Sequence, residues 1–266
     1  MLCPDCGQLI SVNAEVCIHC GRRNPGLWGL MPVFRQWLGG FGFEQSAIAV
    51  CVILYIIGVL LDPAAILQPR GFLGLLSPSP QSLYDLGATG TFPLQQGRWW
   101  TLITAIYLHG GILHIFFNLL WLRQLAPTVE EFFGTSRLIL IFTLSGVIGF
   151  VASSMFGVPF TIGASGSIFG LLGAMVYYGR SRGGTFGAAV YRQIGQTALV
   201  LFIFGFVMPG VNNWAHAGGF VGGYLTAMGV GYTERRSENF THQILALGAV
   251  ALTIISFALV VWASFL

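Results

Sequence analysis

The chain has 266 residues, 55% of them hydrophobic and only 8% charged, with a formal net charge of +3 and a mean hydropathy of +0.77. An ordinary soluble domain carries about 25% charged residues, so this composition excludes one and points to a membrane protein of one or two domains. All 12 basic residues are arginine.

The first 26 residues hold four cysteines and no apolar core of the length a secretory signal needs, so the N-terminus is expected to stay cytoplasmic. In "MLCPDCGQLISVNAEVCIHCGRRNPG", Cys3 and Cys6 form one C-x-x-C and Cys17 and Cys20 a second, each followed by a glycine, Gly7 or Gly21. Two such knuckles can place four thiolates tetrahedrally around one zinc ion, with the glycines permitting the tight turns. Rubredoxin-like iron and a pair of disulfides are the alternatives, and a reducing compartment disfavours the second. A segment this poor in apolar residues suits a structural zinc that simply folds the module, with docking of a partner or of nucleic acid as the alternative. Arg22 and Arg23 are too thin a basic patch to indicate nucleic acid, and they name no partner for the module. Cys51, inside an apolar run, reads as a small core residue.

Residues 26–43, with Trp28, Phe34, Arg35 and Trp37 among glycines, are too broken to span and suit the headgroup region. Seven apolar helices are then predicted at 46–61, 101–123, 136–156, 164–179, 193–208, 213–231 and 243–265. With the N-terminus inside, ten arginines fall on cytoplasmic segments or helix ends, and only Arg70 and Arg98 fall outside. That orientation suits a multi-pass protein of the plasma (inner) membrane with its C-terminus outside. The connection 62–100 contains five prolines yet is greasy, so it is expected to lie folded on the outer leaflet.

Polar groups at membrane depth are costly and suggest function. The second span carries His114 and Asn118, at i and i+4 on one face; the fourth starts near Ser165 and the sixth near His216. The topology puts all four at one outer depth. Alone, the serine of "GASG" reads as a helix-packing residue and each histidine or asparagine as interhelical glue. Together they suit acyl-transfer chemistry, with Ser165 the nucleophile and His216 its base. His114, Asn118 and the Ser165 backbone N–H are then donors to an oxyanion. Asp62 and Asp85 lie in the outer loop and Glu130 and Glu131 on the cytoplasmic side, which leaves a dyad without an acid. Phe169, one turn after Ser165, can place a ring beneath the imidazole. Gly166, Gly170 and Gly173 can meet Gly219 and Gly223, so that close packing and catalysis become one arrangement.

Residues 43 to about 232 resemble the rhomboid intramembrane serine proteases. The likeness rests on G-x-S-G at Gly163–Gly166, A-H-x-x-G-x-x-x-G from Ala215 to Gly223, H-x-x-x-N from His114 to Asn118, "GRWW" at 97–100 and "LAPTVEEFFG" at 125–134. It implies an all-α polytopic membrane protein, a six-helix bundle plus one C-terminal helix, here preceded by the four-cysteine zinc ribbon. The expected organisation is a ribbon at 1–25, an interfacial linker at 26–43, a catalytic core at 44–232 and the extra helix at 233–266. The resemblance assigns the nucleophile to Ser165, the base to His216 and oxyanion stabilisation to His114 and Asn118. It implies no cofactor for catalysis, and substrates that are transmembrane proteins met in the lipid bilayer. Many members carry tyrosine where this chain has Phe169. A substrate helix must unwind locally to expose a carbonyl, so helix-breaking residues near the cut favour cleavage. A silent rhomboid-like binder of membrane clients is the alternative; such relatives generally lack the serine or histidine that this chain keeps. A channel or transporter would show inverted repeats or midplane charges, and H-E-x-x-H is absent.

Overall fold

The computed structural model describes residues 3, 5–11, 14–23, 42–67 and 75–266. The interfacial segment predicted at 26–43 lies, up to residue 41, outside the described residues, as do Arg35 and Arg70. Among the described residues the chain is helical, with no strand beyond the isolated bridges Val16 to Arg23 and Thr89 to Thr161. In lipid a spanning backbone must satisfy its own polar groups, and a helix does so within one segment.

The elements run α1 (Phe43–Leu61), α2 (Pro80–Asp85), α3 (Thr91–Gln95), α4 (Thr101–Thr104), α5 (Ile112–Phe133), α6 (Thr135–Met155), α7 (Ser165–Arg182), α8 (Gly184–Val207), α9 (Asn213–Val230) and α10 (Phe240–Phe265). Of the seven long helices among the described residues, α1, α5, α6, α8 and α10 are long and apolar enough to cross a membrane by themselves. The other two of the seven predicted spans, α7 and α9, fall short of that measure. They are short, rich in glycine, and set against other helices, so their composition answers to protein more than to lipid. Every residue of α7 from Gly166 to Gly179 is buried. α6 and α9 pack most extensively with each other or with α7, and α8 covers a further side of α7.

The largest correction falls on the second span. Hydropathy predicts one helix over 101–123, but the chain makes the single turn α4, a 3-10 turn at Ala105–Tyr107 and an extended Leu108 before α5 starts at Ile112. Gly110 and Gly111 are the physical reason, because adjacent glycines are poor helix formers and hydropathy does not register them. α5 also runs on through Pro127 to Phe133, so "LAPTVEEFFG" belongs to the helix rather than following it. Arg123, placed by the hydropathy pattern at a helix end, therefore sits in mid-helix with an exposed side chain. α8 likewise starts at Gly184, well before the predicted 193. The 62–100 connection is broken, as its prolines require, into short helical turns.

Gly134 ends α5 at φ +86, and a Cβ there would lie 2.5 Å from the carboxylate carbon of Glu238. That carboxylate accepts the Arg137 backbone N–H at 3.0 Å and the Ser136 hydroxyl at 3.3 Å, placing negative charge at the start of α6. The fully buried Arg137 guanidinium donates to the carbonyls of Phe133 (3.0 Å), Arg236 (2.7 Å) and Ser237 (3.2 Å). At the other end of α10, Arg98 lies over the Tyr84 ring at 4.2 Å and donates to Ser264 at 2.9 Å. The seventh long helix is thus fastened at both ends to the rest of the bundle.

Candidate active site

Ser165 is the first residue of α7, just past Gly163, whose φ of +117 allows the chain to turn into the helix. Gly163 N–H donates to the Ala105 carbonyl at 2.9 Å, which ties this turn to the segment before α5. His216 is the fourth residue of α9 and is buried. The two helices run side by side in the same direction, as their glycine contacts show. A Cβ on Gly219 would lie 2.1 Å from the Gly166 carbonyl oxygen, and one on Gly223 would lie 1.9 Å from that of Gly170. Further along, a Cβ on Gly173 would lie 2.1 Å from the Phe220 carbonyl oxygen. Starting level and nearly touching, the helices bring Ser165 Oγ to 2.9 Å from His216 Nε2.

The Phe169 ring stacks on the imidazole with centroids 4.3 Å apart and planes 16° from parallel. If Nε2 accepts the serine proton, Nδ1 carries the other, and Nδ1 is buried with no hydrogen-bond partner. No carboxylate among the described residues bonds this ring, which packs against Phe169.

His114 is the third residue of α5, and the late start of that helix brings it level with the dyad. Its Nδ1 accepts the Gly110 N–H at 3.2 Å, which assigns the ring proton to Nε2. That edge faces Gly163, where a Cβ would lie 2.7 Å from Nε2. The Asn118 side chain, one turn on, donates from Nδ2 to the His114 carbonyl at 2.8 Å, while its buried Oδ1 has no partner. One of its two amide protons is therefore engaged within the helix. The starts of α5, α7 and α9 lie close together here, through Gly163 beside His114 and Ser165 beside His216, and helix starts favour developing negative charge.

Two residues at this site escape the sequence reading. His109, 1% exposed, sets its ring edge-on to His114 with centroids 5.1 Å apart. Asn212, the N-cap of α9, reaches the segment that leads to Ser165. Neither sits in a motif with a recognisable spacing, and a lone asparagine or histidine gives no periodic signal.

At the other extreme of the chain, Cys3, Cys6, Cys17 and Cys20 converge, with all four sulfurs within 4.8 Å of one another. Cys3 to Cys20 and Cys6 to Cys17 are each 3.7 Å, too long for a disulfide. Tetrahedral ligands at about 2.3 Å from zinc stand about 3.8 Å apart, so the sulfurs are already spaced for a metal ion. The two knuckles match: Gly7 N–H bonds the Cys3 carbonyl and Gly21 N–H that of Cys17, both at 2.9 Å. Gly7 and Gly21 have φ of +69 and +73, the conformation that the turns demand. Cys51 is fully buried in the main core.

A family model described as the Rhomboid domain matches residues 96–233. "Rhomboid protease GluP" of Bacillus subtilis is 38% identical over 159 residues, covering 58% of this chain and 31% of its own length. "RHOMBOID-like protein 1" of Arabidopsis thaliana is 34% identical over 165 residues, 59% of this chain and 41% of its own. The chain thus spans less than half the length of either. A second Bacillus subtilis relative is 33% identical over 146 residues, and there the match takes in 69% of the relative. The matched span runs from the "GRWW" element through α9 and so contains the starts of all three helices that meet at Ser165. By that match, and by the all-α polytopic bundle that carries it, this chain belongs to the rhomboid family.

Proposed function

We propose that the chain is an intramembrane serine endopeptidase that cuts peptide bonds in or beside the transmembrane segments of other membrane proteins. The 2.9 Å contact between Ser165 Oγ and His216 Nε2 carries this reading. Ser165 Oγ attacks the scissile carbonyl carbon while its proton passes to His216 Nε2, and the carbonyl π electrons move to the oxygen. His114 Nε2–H, the free amide proton of Asn118 and the Ser165 backbone N–H are the donors to that oxyanion. Collapse breaks the C–N bond, and His216 returns the proton to the leaving amine. A water molecule then repeats the sequence on the ester and frees Ser165. Substrates are helices weakened by glycine or proline, since an intact helix shields its carbonyls.

The arginine distribution supports a cytoplasmic N-terminus, a site near the outer face and a location in the plasma (inner) membrane. The named relatives support proteolysis, and this chain retains both residues of the dyad. The test is a proteoliposome assay with a tagged reporter whose transmembrane segment contains glycine and proline, alongside labelling by a fluorophosphonate. We expect cleavage within or next to that segment and a mass adduct on the Ser165 peptide. Absence of both overturns the reading.

The N-terminal cysteines are proposed to hold one structural zinc ion, with no part in the chemistry. The soft four-thiolate donor set and the 3.7 Å sulfur pairs support it. Elemental analysis of the purified chain should find about one zinc per polypeptide, and Cys17→Ser should lower that content at least tenfold. Undiminished zinc in Cys17→Ser, or iron in its place, would count against the assignment.

A further inference from the structure

The two halves of the dyad sit 51 residues apart on different helices, which the glycine contacts draw together from Gly166 onward. Asn212 acts at the ends. Its Oδ1 accepts the Ala215 N–H at 3.1 Å, capping α9, and its backbone carbonyl accepts the N–H of His216 itself at 3.2 Å. Its amide nitrogen donates to Ser153 Oγ at 2.6 Å and to Thr161 Oγ1 at 2.9 Å. Both side-chain donors and an acceptor site are therefore used.

Each partner is itself fixed. Ser153 is fully buried near the end of α6. Thr161 stands four residues before Ser165 and pairs through its backbone with Thr89 in both directions, at 2.7 and 3.1 Å. Thr89 in turn accepts the Thr101 hydroxyl at 3.1 Å. One side chain thus joins the cap of the helix that carries His216 to the segment that delivers Ser165, and anchors both to α6.

We propose that Asn212 is a positioning residue for the Ser165 and His216 pair, setting the separation of the two groups by clamping the start of α9 to Thr161. The inference rests on the protease reading, since positioning matters only if the pair reacts. A misplacement of about 1 Å can cost about a hundredfold in rate, which makes such a clamp visible in kinetics.

Three variants separate clamping from capping. Asn212→Ser keeps an oxygen that caps α9 but cannot reach both hydroxyls. Asn212→Asp keeps the cap, and the hydroxyls of Ser153 and Thr161 can rotate to donate to its carboxylate. Thr161→Val removes one end of the clamp at nearly constant volume. The measurements are the rate of fluorophosphonate labelling of Ser165 in the full chain in detergent, kcat and KM on the tagged reporter, and the thermal midpoint.

Labelling and kcat are expected to fall at least tenfold in Asn212→Ser and three- to tenfold in Thr161→Val. KM and the thermal midpoint should change little, and Asn212→Asp should stay within threefold of the wild type. Wild-type labelling rates in Asn212→Ser would overturn the clamp. So would equal losses in the serine and aspartate variants, or losses that track the thermal midpoint. Failure of the wild type itself to label would strike the protease reading first, and the clamp with it.

Discussion

Alanine at Ser165 or at His216 is expected to slow cleavage of the reporter by about a thousandfold to a millionfold, with the double variant no slower than the worse single one. In the proposed mechanism the two side chains perform one act, the transfer of a proton from Oγ to Nε2 across their 2.9 Å contact as the carbon–oxygen bond forms. Removing the hydroxyl leaves the imidazole nothing to deprotonate. Removing the imidazole leaves a neutral hydroxyl, a weak nucleophile at any ordinary pH. Their losses therefore overlap instead of adding. His216→Ala also empties the space over Phe169, so its expression and thermal midpoint should be recorded beside the rate. Time courses in proteoliposomes, normalised to the folded protein inserted, give the comparison. Wild-type rates in either single variant would remove the dyad from the mechanism.

The second large effect is expected from a residue that touches no substrate. Gly223→Ala adds one methyl group whose carbon would lie 1.9 Å from the carbonyl oxygen of Gly170, where real contacts stay beyond 3.0 Å. α7 and α9 must part by at least about 1 Å, and both partners are backbone, so no side chain can rotate away. Since Ser165 and His216 sit at the starts of these helices, their separation grows with the gap. We expect kcat to fall by about a hundredfold, together with a lower thermal midpoint. Gly229→Ala is the control: it lies on the same helix, its Cβ would meet nothing within 4 Å, and alanine is the better helix former there. It should retain full activity and equal or higher stability. Full turnover by Gly223→Ala would mean that close approach of the helices is not what brings the pair together.

How far the sequence could be read depends on the range over which each feature acts. Local spacing was sufficient for the ribbon, because C-x-x-C and the glycine after it are consecutive constraints on one turn. It was also sufficient for the glycine faces of α7 and α9, since helical period alone lines up Gly166, Gly170 and Gly173, and Gly219 with Gly223. The starts of the first, third, fourth, sixth and seventh helices follow the apolar runs to within three residues. Those of the second and fifth do not. At the second, hydropathy ran over the Gly110 and Gly111 break, and at the fifth Arg192 and the glycines at 183, 184 and 187 interrupted the apolar run and hid the true start at Gly184.

The apolar runs, the cysteine spacing and the motifs around Ser165 and His216 determined by themselves that the chain is a helical membrane protein with a metal-suited N-terminal module and a candidate dyad. Each of those motifs is written in residues a few positions apart. That Asn212 joins two helix starts, and that Arg137 holds carbonyls 99 and 100 residues away, were decided only by the tertiary structure. A hydrogen bond between distant segments leaves no periodic trace in the chain. It exists only once packing has brought its donor and acceptor together.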